Sequence, residues 1–175
     1  VPIDDELSIQ TNSELDQHFL SAPAKLASII KSAEIQLADH VVEIGGGVGT
    51  VAEHVPVCQS LTVIEYDVNL IPHLRKRVPH ARVIQDDALQ ILPTLRCDVL
   101  LSNLPSKLTS TLIELLPSLE FRVALVTVSS IDKLVSLEGS FMFETVSVLE
   151  PDDFWPRQAE RAMVVRITRV EASAD

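Results

Sequence analysis

Acidic and amide side chains recur in this sequence immediately after short apolar runs, and that placement limits the chemistry open to it. Glu43 follows Val41-Val42 and leads into Ile44-Gly45-Gly46-Gly47-Val48-Gly49-Thr50. Glu65 closes Leu61-Thr62-Val63-Ile64, twenty residues after Gly45. Asp87 and Ala88 follow Ala81-Arg82-Val83-Ile84-Gln85, and Asn103-Leu104-Pro105-Ser106 follows Cys97-Asp98-Val99-Leu100-Leu101-Ser102. Glycines let the backbone take positive φ and approach a ligand with no Cβ in the way. An acidic residue about 20 positions beyond such a turn can hold a ribose diol. The spacing is G-x-G-x-G (Gly45, Gly47, Gly49), not the G-x-G-x-x-G that opens a helix toward a pyrophosphate. With Glu43 before the turn and Glu65 after it, the pattern departs from the dinucleotide fingerprint.

These residues need elements to bring them together. Val41–Ile44, Leu61–Ile64, Ala81–Gln85, Cys97–Ser102 and Arg122–Val128 read as buried strands, the last a continuous apolar run. Helices are expected between them. Ser21 is a plausible N-cap with Pro23 in the first turn, and Leu26, Ile29, Ile30 and Ala33 share a face. Val48–Val55 reads as a short helix stopped by Pro56, and Asn69–Val78 as a helix whose Pro72 falls within its first turns. Ile91 and Leu92 belong to a short helix, and Leu108, Leu112, Leu115 and Leu116 mark another helix face. Ser130–Leu137 is a helical connector. Phe141–Leu149 and Ala162–Val170 alternate and read as a closing antiparallel hairpin around Pro151–Arg157. The fold class is therefore α/β: a doubly wound, mostly parallel, seven-stranded sheet. Ligands in such sheets bind outside the carboxyl ends of the strands, where Glu43–Gly49, Glu65, Asp87 and Asn103 all converge. Residues 1–16 are an expected arm, 17–170 the domain and 171–175 a tail.

Bulk properties exclude several classes. The 175 residues suit one domain with a real core. No apolar run approaches the roughly 18 residues of a membrane span, and the acidic start Val1–Glu6 is no secretion signal. Cys58 and Cys97 are isolated, and the five His residues lack metal-ligand spacing, so reduced cysteines, a cytoplasmic setting and no metal are expected. The net charge is −11, from 25 acidic and 14 basic residues. Nucleic-acid binders usually carry a basic footprint, and the one dense basic cluster, Arg75-Lys76-Arg77, also reads as a solvated helix end. The charge weighs against tight, unaided RNA binding.

Several motifs together resemble the rRNA adenine N6-dimethyltransferases and the related macrolide-resistance methylases. Gln17-His18-Phe19-Leu20 resembles that family's Q-x-F-L motif, and Val42–Gly49 its V-E-I-G-x-G-x-G loop. Ile64-Glu65-Tyr66-Asp67 resembles its second strand end, and Asp87-Ala88-Leu89 its G-D-A-L, with Asp86 in place of Gly. Asn103-Leu104-Pro105 resembles its N-L-P-Y/F. Phe154-Trp155-Pro156 with Ala162-Met163-Val164-Val165-Arg166 resembles its closing segment. The match runs from about residue 17 to 170. The glycine loop with Glu43 and Glu65 resembles that of S-adenosylmethionine (SAM) methyltransferases more than that of dehydrogenases. The resemblance implies a class I, Rossmann-like SAM methyltransferase fold and methyl transfer from SAM to an adenine amine in RNA, with rRNA as partner. It implies that Glu65 and Tyr66 flank the ribose, that Asp87 and Ala88 meet the adenine, and that Glu43, Gly45, Gly47 and Gly49 serve the methionine part. Gln17 and Leu20 would close over the cofactor. Asn103, with the carbonyl of Leu104 and the turn fixed by Pro105, would accept hydrogen bonds from the target amine.

Two departures keep other functions open. Ser106 stands where the family has an aromatic, and a hydroxyl has no π-face for a base, a contact worth ~1–3 kcal/mol. No counterpart of the family's C-terminal helical domain is expected after residue 170. A SAM-binding or empty methyltransferase fold used for protein interaction, and a methyltransferase for a non-RNA amine, are the alternatives. The residues also admit plainer roles: Asp87 as a helix N-cap, Asn103 as a turn former, Glu65 and Gln17 as surface groups, His18 as a packing partner, and Phe154 and Trp155 as hairpin packing.

Overall fold

The parallel strands are apolar because both of their faces are covered. In the computed structural model, which describes residues 11–170, they are β2 (His40–Ile44), β3 (Ser60–Glu65), β4 (Arg82–Gln85), β5 (Val99–Ser102) and β6 (Val123–Val128), and β1 (Phe19–Leu20) precedes them apart from the sheet. Alternate residues of these strands serve two cores. On one face Val41, Val63, Val99, Leu101, Val123 and Leu125 pack with Leu26, Ile29 and Ile30 of α1 (Pro23–Ser32) and Leu74 of α2 (Ile71–Arg77). On the other, Val42, Ile44, Ile64, Leu100, Ala124 and Val126 pack with Leu112 and Ile113 of α4 (Ser106–Leu115) and, more loosely, with Ala88, Leu89 and Ile91 of α3 (Ala88–Ile91).

The two late strands are β7 (Phe141–Leu149) and β9 (Ala162–Arg169), with β8 (Phe154–Trp155) in the loop between them. The sheet order is β4-β3-β2-β5-β6-β9-β7. Strands β2 to β6 run parallel to their neighbours, and β9 is antiparallel to both β6 and β7. The expected seven-stranded doubly wound sheet with a closing antiparallel hairpin is thus the observed one. The strand order reverses at β2, which has β3 on one side and β5 on the other, so the loops after β2 and β5 border a topological switch point, where such sheets bind ligands.

A second, two-stranded sheet was not foreseen. β1 pairs antiparallel with β8, Phe19 opposite Trp155 and Leu20 opposite Phe154. Its continuation explains why Ser21 is not the cap of α1. The Ser21 amide and hydroxyl both donate to the carbonyl of Asp153, at 2.7 and 3.2 Å, and the N-cap position falls to Ala22 with Pro23 in the first turn. The helix expected over Val48–Val55 is reduced to one 3-10 turn, Ala52–His54. Gly49, at φ +87°, holds a conformation incompatible with α-helix, and Pro56 leaves no room for a second turn. The helical connector expected over Ser130–Leu137 is the 3-10 helix Ile131–Leu137, capped by Ser130, whose hydroxyl accepts from the Asp132 amide.

Both cysteines are free thiols and half-buried. Burial, with Asp98 beside it, pushes the Cys97 thiol up to about 12, so it stays protonated and inert at neutral pH. Among the described residues no helix is long and apolar enough to cross a membrane, and no group of His, Cys, Asp and Glu is placed to hold a metal ion.

Candidate functional site

Four strand tips open into one cavity of about 340 Å³ at the switch point. The loop after β2 supplies Gly45 and Gly47, the end of β3 supplies Glu65 and Tyr66, the segment after β4 supplies Asp87 and Ala88, and the end of β5 supplies Asn103, Leu104 and Pro105. The segment before β1 closes the top as a strap, with Leu15, Asp16, Gln17, His18 and Phe19 on the wall. This volume is within the usual range for a small-molecule site, about 300–1,000 Å³. A larger hollow of about 870 Å³ lies at the other end of the sheet, around Arg96, Cys97, Asp98 and Arg122, and includes none of these residues.

The glycine loop is built to leave backbone exposed. The Gly45 and Gly46 amides both donate to the carbonyl of Ile64, at 2.9 and 3.1 Å, which ties the loop to β3. Gly45 sits at φ +69° and Gly47 at φ +55°. A Cβ on Gly47 would stand 2.7 Å from the ring of Phe19, and one on Gly45 2.6 Å from Leu104 Cδ2. Only glycine lets loop, strap and Leu104 meet around the cavity. Gly49 is used differently. It faces α2, where a Cβ would stand 3.0 Å from Leu74 Cδ1, and it is not on the cavity wall. Its expected place beside a cofactor is corrected accordingly.

Glu65 ties the loop and the β3 tip together. One carboxylate oxygen accepts from the Gly47 amide and the other from the Asp67 amide, each at 2.7 Å. Burial raises its pKa, the amides of Asp67 and Gly47 offset part of that, and the Asp67 charge adds to it. Each oxygen keeps a further lone pair for a ligand hydroxyl. Asp67, absent from the residues singled out in the sequence, accepts from Gln17 Nε2 at 2.8 Å, and the Gln17 side-chain oxygen accepts from the Asn12 amide at 2.7 Å. Gln17 therefore latches the strap to the tip of β3 and is no free surface group.

Asp87 does two things at once. It caps α3, with Oδ1 accepting from the Leu89 amide at 3.0 Å, and it lines the cavity. Its other oxygen accepts from Gln90 Nε2 at 3.0 Å. Tyr66 is 62% exposed, so it forms the rim and not the floor.

At the β5 tip, Asn103 Nδ2 donates to the carbonyl of His18 at 3.3 Å. That assignment leaves Oδ1 as the acceptor facing outward. The carbonyls of Leu104 and Pro105 are held by the hydroxyl of Thr109, at 3.1 and 3.2 Å. Thr109 is 1% exposed on α4 and was not anticipated, because a lone Thr in a helix carries no signal in sequence. His18 is a packing partner: Nδ1 pairs with the Pro156 carbonyl at 2.8 Å and Nε2 lies 3.3 Å from Asp16.

Three further expectations need correction. Leu20 does not reach over the cavity; it is 2% exposed within the α1-side core, and its neighbour Phe19 covers the glycine loop instead. Glu43 is 2% exposed and lies beneath the loop, not on the cavity wall. Burial, then the Glu65 charge, raise its pKa well above the ordinary value, and Oε2 has no partner among the described residues. Ser106 turns away from the cavity and lines a neighbouring cleft, its hydroxyl accepting from Lys133 Nζ.

Comparison with known proteins agrees with this geometry. The model of the ribosomal RNA adenine dimethylase family matches residues 8–131. Ribosomal RNA small subunit methyltransferase A of Leptothrix cholodnii is 31% identical over 144 residues, 76% of this chain and 53% of that protein. Its namesake from Thermosynechococcus vestitus is 31% identical over 153 residues, 80% of this chain and 58% of that protein. The chain thus spans little more than half the length of these relatives. In fold it resembles a dimethyladenosine transferase from Plasmodium falciparum (TM-score 0.78, 22% identity, 87% of this chain and 63% of that one). It equally resembles the 23S rRNA methyltransferase ErmE (TM-score 0.77, 20% identity, 89% of this chain and 73% of that one). With the family model covering most of its length, the chain belongs to the ribosomal RNA adenine dimethylase family.

Proposed function

We propose that this chain is a SAM-dependent N-methyltransferase acting on an adenine amine in RNA. The observation that carries this reading is the convergence of Gly45, Gly47, Glu65, Asp87 and Asn103 on one cavity. The residues present suit an adenosyl group. The Gly45 and Gly47 cradle is one that a Cβ would fill, and a buried carboxylate, Glu65, retains lone pairs toward the hollow. In this reading Glu65 accepts from the ribose hydroxyls, Asp87 accepts from the adenine amine, and Ala88 lies against the ring. Gly45 and Gly47 approach the methionine part, and Gln17 latches the strap above it.

The cofactor supplies an electrophilic methyl on a cationic sulfur. What remains for the protein is positioning, which supplies much of the rate when no difficult proton transfer is needed. Asn103 Oδ1 and the Leu104 carbonyl accept the two protons of a target amine, which aims the nitrogen lone pair into the cavity. The His18 carbonyl fixes the Asn103 amide so that its oxygen, not its nitrogen, meets that amine. Thr109 fixes the Leu104 carbonyl from behind.

The test is titration with SAM, followed by incubation of labelled SAM with total RNA. Micromolar binding and methylated adenine support the reading; absence of transfer to any RNA overturns it. A second reading, a SAM-binding interaction module, is favoured by the turning of Ser106 toward Lys133 and by the net charge of −11. It predicts that SAM binds while neither wild type nor Asn103→Ala transfers a methyl.

A further inference from the structure

Beside the cofactor cavity lies a second cleft, of about 260 Å³, which shares Asp16, His18 and Pro105 with it. The two hollows share the Pro105 end of the Asn103-Leu104-Pro105 turn, so a molecule presenting an amine to Asn103 can extend into this cleft. The cleft wall is polar. Ser106, at the start of α4, and Lys133, on the 3-10 helix Ile131–Leu137, both line it and meet each other there.

The charges in the cleft are unequally engaged. Arg161 is paired with Glu150 at 2.7 Å, and Asp16 lies 3.3 Å from His18 Nε2. Lys133 instead donates to the neutral hydroxyl of Ser106 and has no carboxylate partner among the described residues. Ser106 accepts from the ammonium and keeps its own O–H to donate. An ammonium and a hydroxyl donor side by side are the recognition chemistry of a phosphate oxygen, through charge-assisted hydrogen bonds. Asp16 and Glu160 also line the cleft and repel an anion, which favours its placement at Lys133.

We propose that Lys133 and Ser106 form a phosphate-binding subsite for the RNA strand, one step from the target amine. This inference rests on the proposed function and adds to it. It also accounts for Ser106 itself: where a ring would hold the target base by stacking, this chain holds the adjoining phosphate. One local cation then provides the grip that a chain of net charge −11 does not supply through a broad basic surface.

The test is binding of a short single-stranded oligoadenylate RNA to the protein saturated with S-adenosylhomocysteine, read by fluorescence anisotropy over a series of salt concentrations. Each phosphate contact to a single strand contributes a slope of about 0.7 in log K against log salt. Lys133→Gln is expected to weaken binding about fivefold and to lower the slope by about 0.7. Lys133→Arg is expected to restore most of both, and Ser106→Ala to weaken binding about twofold with the slope retained. SAM titration of each variant checks that the fold is intact. An unchanged slope in Lys133→Gln overturns the subsite, as does a wild type that binds SAM but no RNA. A wild type that binds no SAM overturns instead the proposed function beneath it.

Discussion

The side-chain amide of Asn103 donates to the backbone carbonyl of His18 across 3.3 Å, joining the tip of β5 to the strap that roofs the cavity. The group that would receive the target amine is thus oriented by the same segment that covers the cofactor space.

Removing that oxygen should separate binding from transfer. Asn103→Ala is expected to lower the methylation rate on the order of a hundredfold, the usual consequence of a misplaced reactant, while SAM affinity falls much less, because Gln17 still ties the strap to Asp67. Single-turnover transfer and calorimetric titration on the same preparation check both halves.

The glycine loop gives a sharper steric prediction. Gly47→Ala puts a methyl 2.7 Å from the Phe19 ring in a backbone held at φ +55°. It should destabilise the fold by more than about 1 kcal/mol and weaken SAM binding about tenfold, the equivalent of ~1.4 kcal/mol. Gly139→Ala is the control. Its φ is +84°, but nothing lies within 4 Å of the new Cβ, so stability should fall and SAM affinity should hold.

Leu20 and Phe19 should behave oppositely although they are adjacent. Leu20→Ala opens a cavity among Leu26, Ile29 and Leu101, at a cost of about 2–5 kcal/mol. Below its lowered melting temperature it should still bind SAM as wild type does. Phe19→Ala uncovers Gly47 and should lose SAM affinity more than stability. Paired melting curves and titrations distinguish the two.

Glu43 makes stability depend on pH with a definite sign. Its folded pKa lies well above the ordinary 4.5, so the folded chain keeps a proton that the unfolded chain has released. Stability changes with pH as the protons bound by the unfolded state minus those bound by the folded state. The contribution is therefore fully present below about 4.5 and is lost as pH rises through the folded pKa. Glu43→Gln keeps the shape and removes the titration. Its melting temperature relative to wild type should climb from pH of about 4.5 upward; parallel curves would refute a raised Glu43 pKa.

The parts of this molecule that sequence discloses are those fixed by neighbours along the chain. The glycine loop, Glu65, Asp87 and Asn103 each follow an apolar run, and the doubly wound topology brings all such ends to one side. What sequence conceals depends on distant partners. A two-residue strand has no alternation to read, so only the pairing of Phe19 with Trp155 and of Leu20 with Phe154 decides that Phe19 covers the loop and Leu20 enters the core. Ser106 turns outward because Lys133, beyond β6, meets it. Thr109 gains its role only because α4 folds back over the Leu104 carbonyl. Glu43 stands in a recognisable motif, yet its burial under the loop is a matter of packing on both sides of the sheet.

The small β1–β8 sheet has a consequence for synthesis. The roof over the cavity is made early, from residues 15–20, but it is fastened to Phe154 and Trp155 near the far end of the domain. A nascent chain can lay down its glycine loop and first strands long before anything holds that roof down. Small-molecule ligands that need the closed roof would therefore stabilise only chains in which Phe154 and Trp155 have already been made, and would do nothing for those stalled earlier on the ribosome.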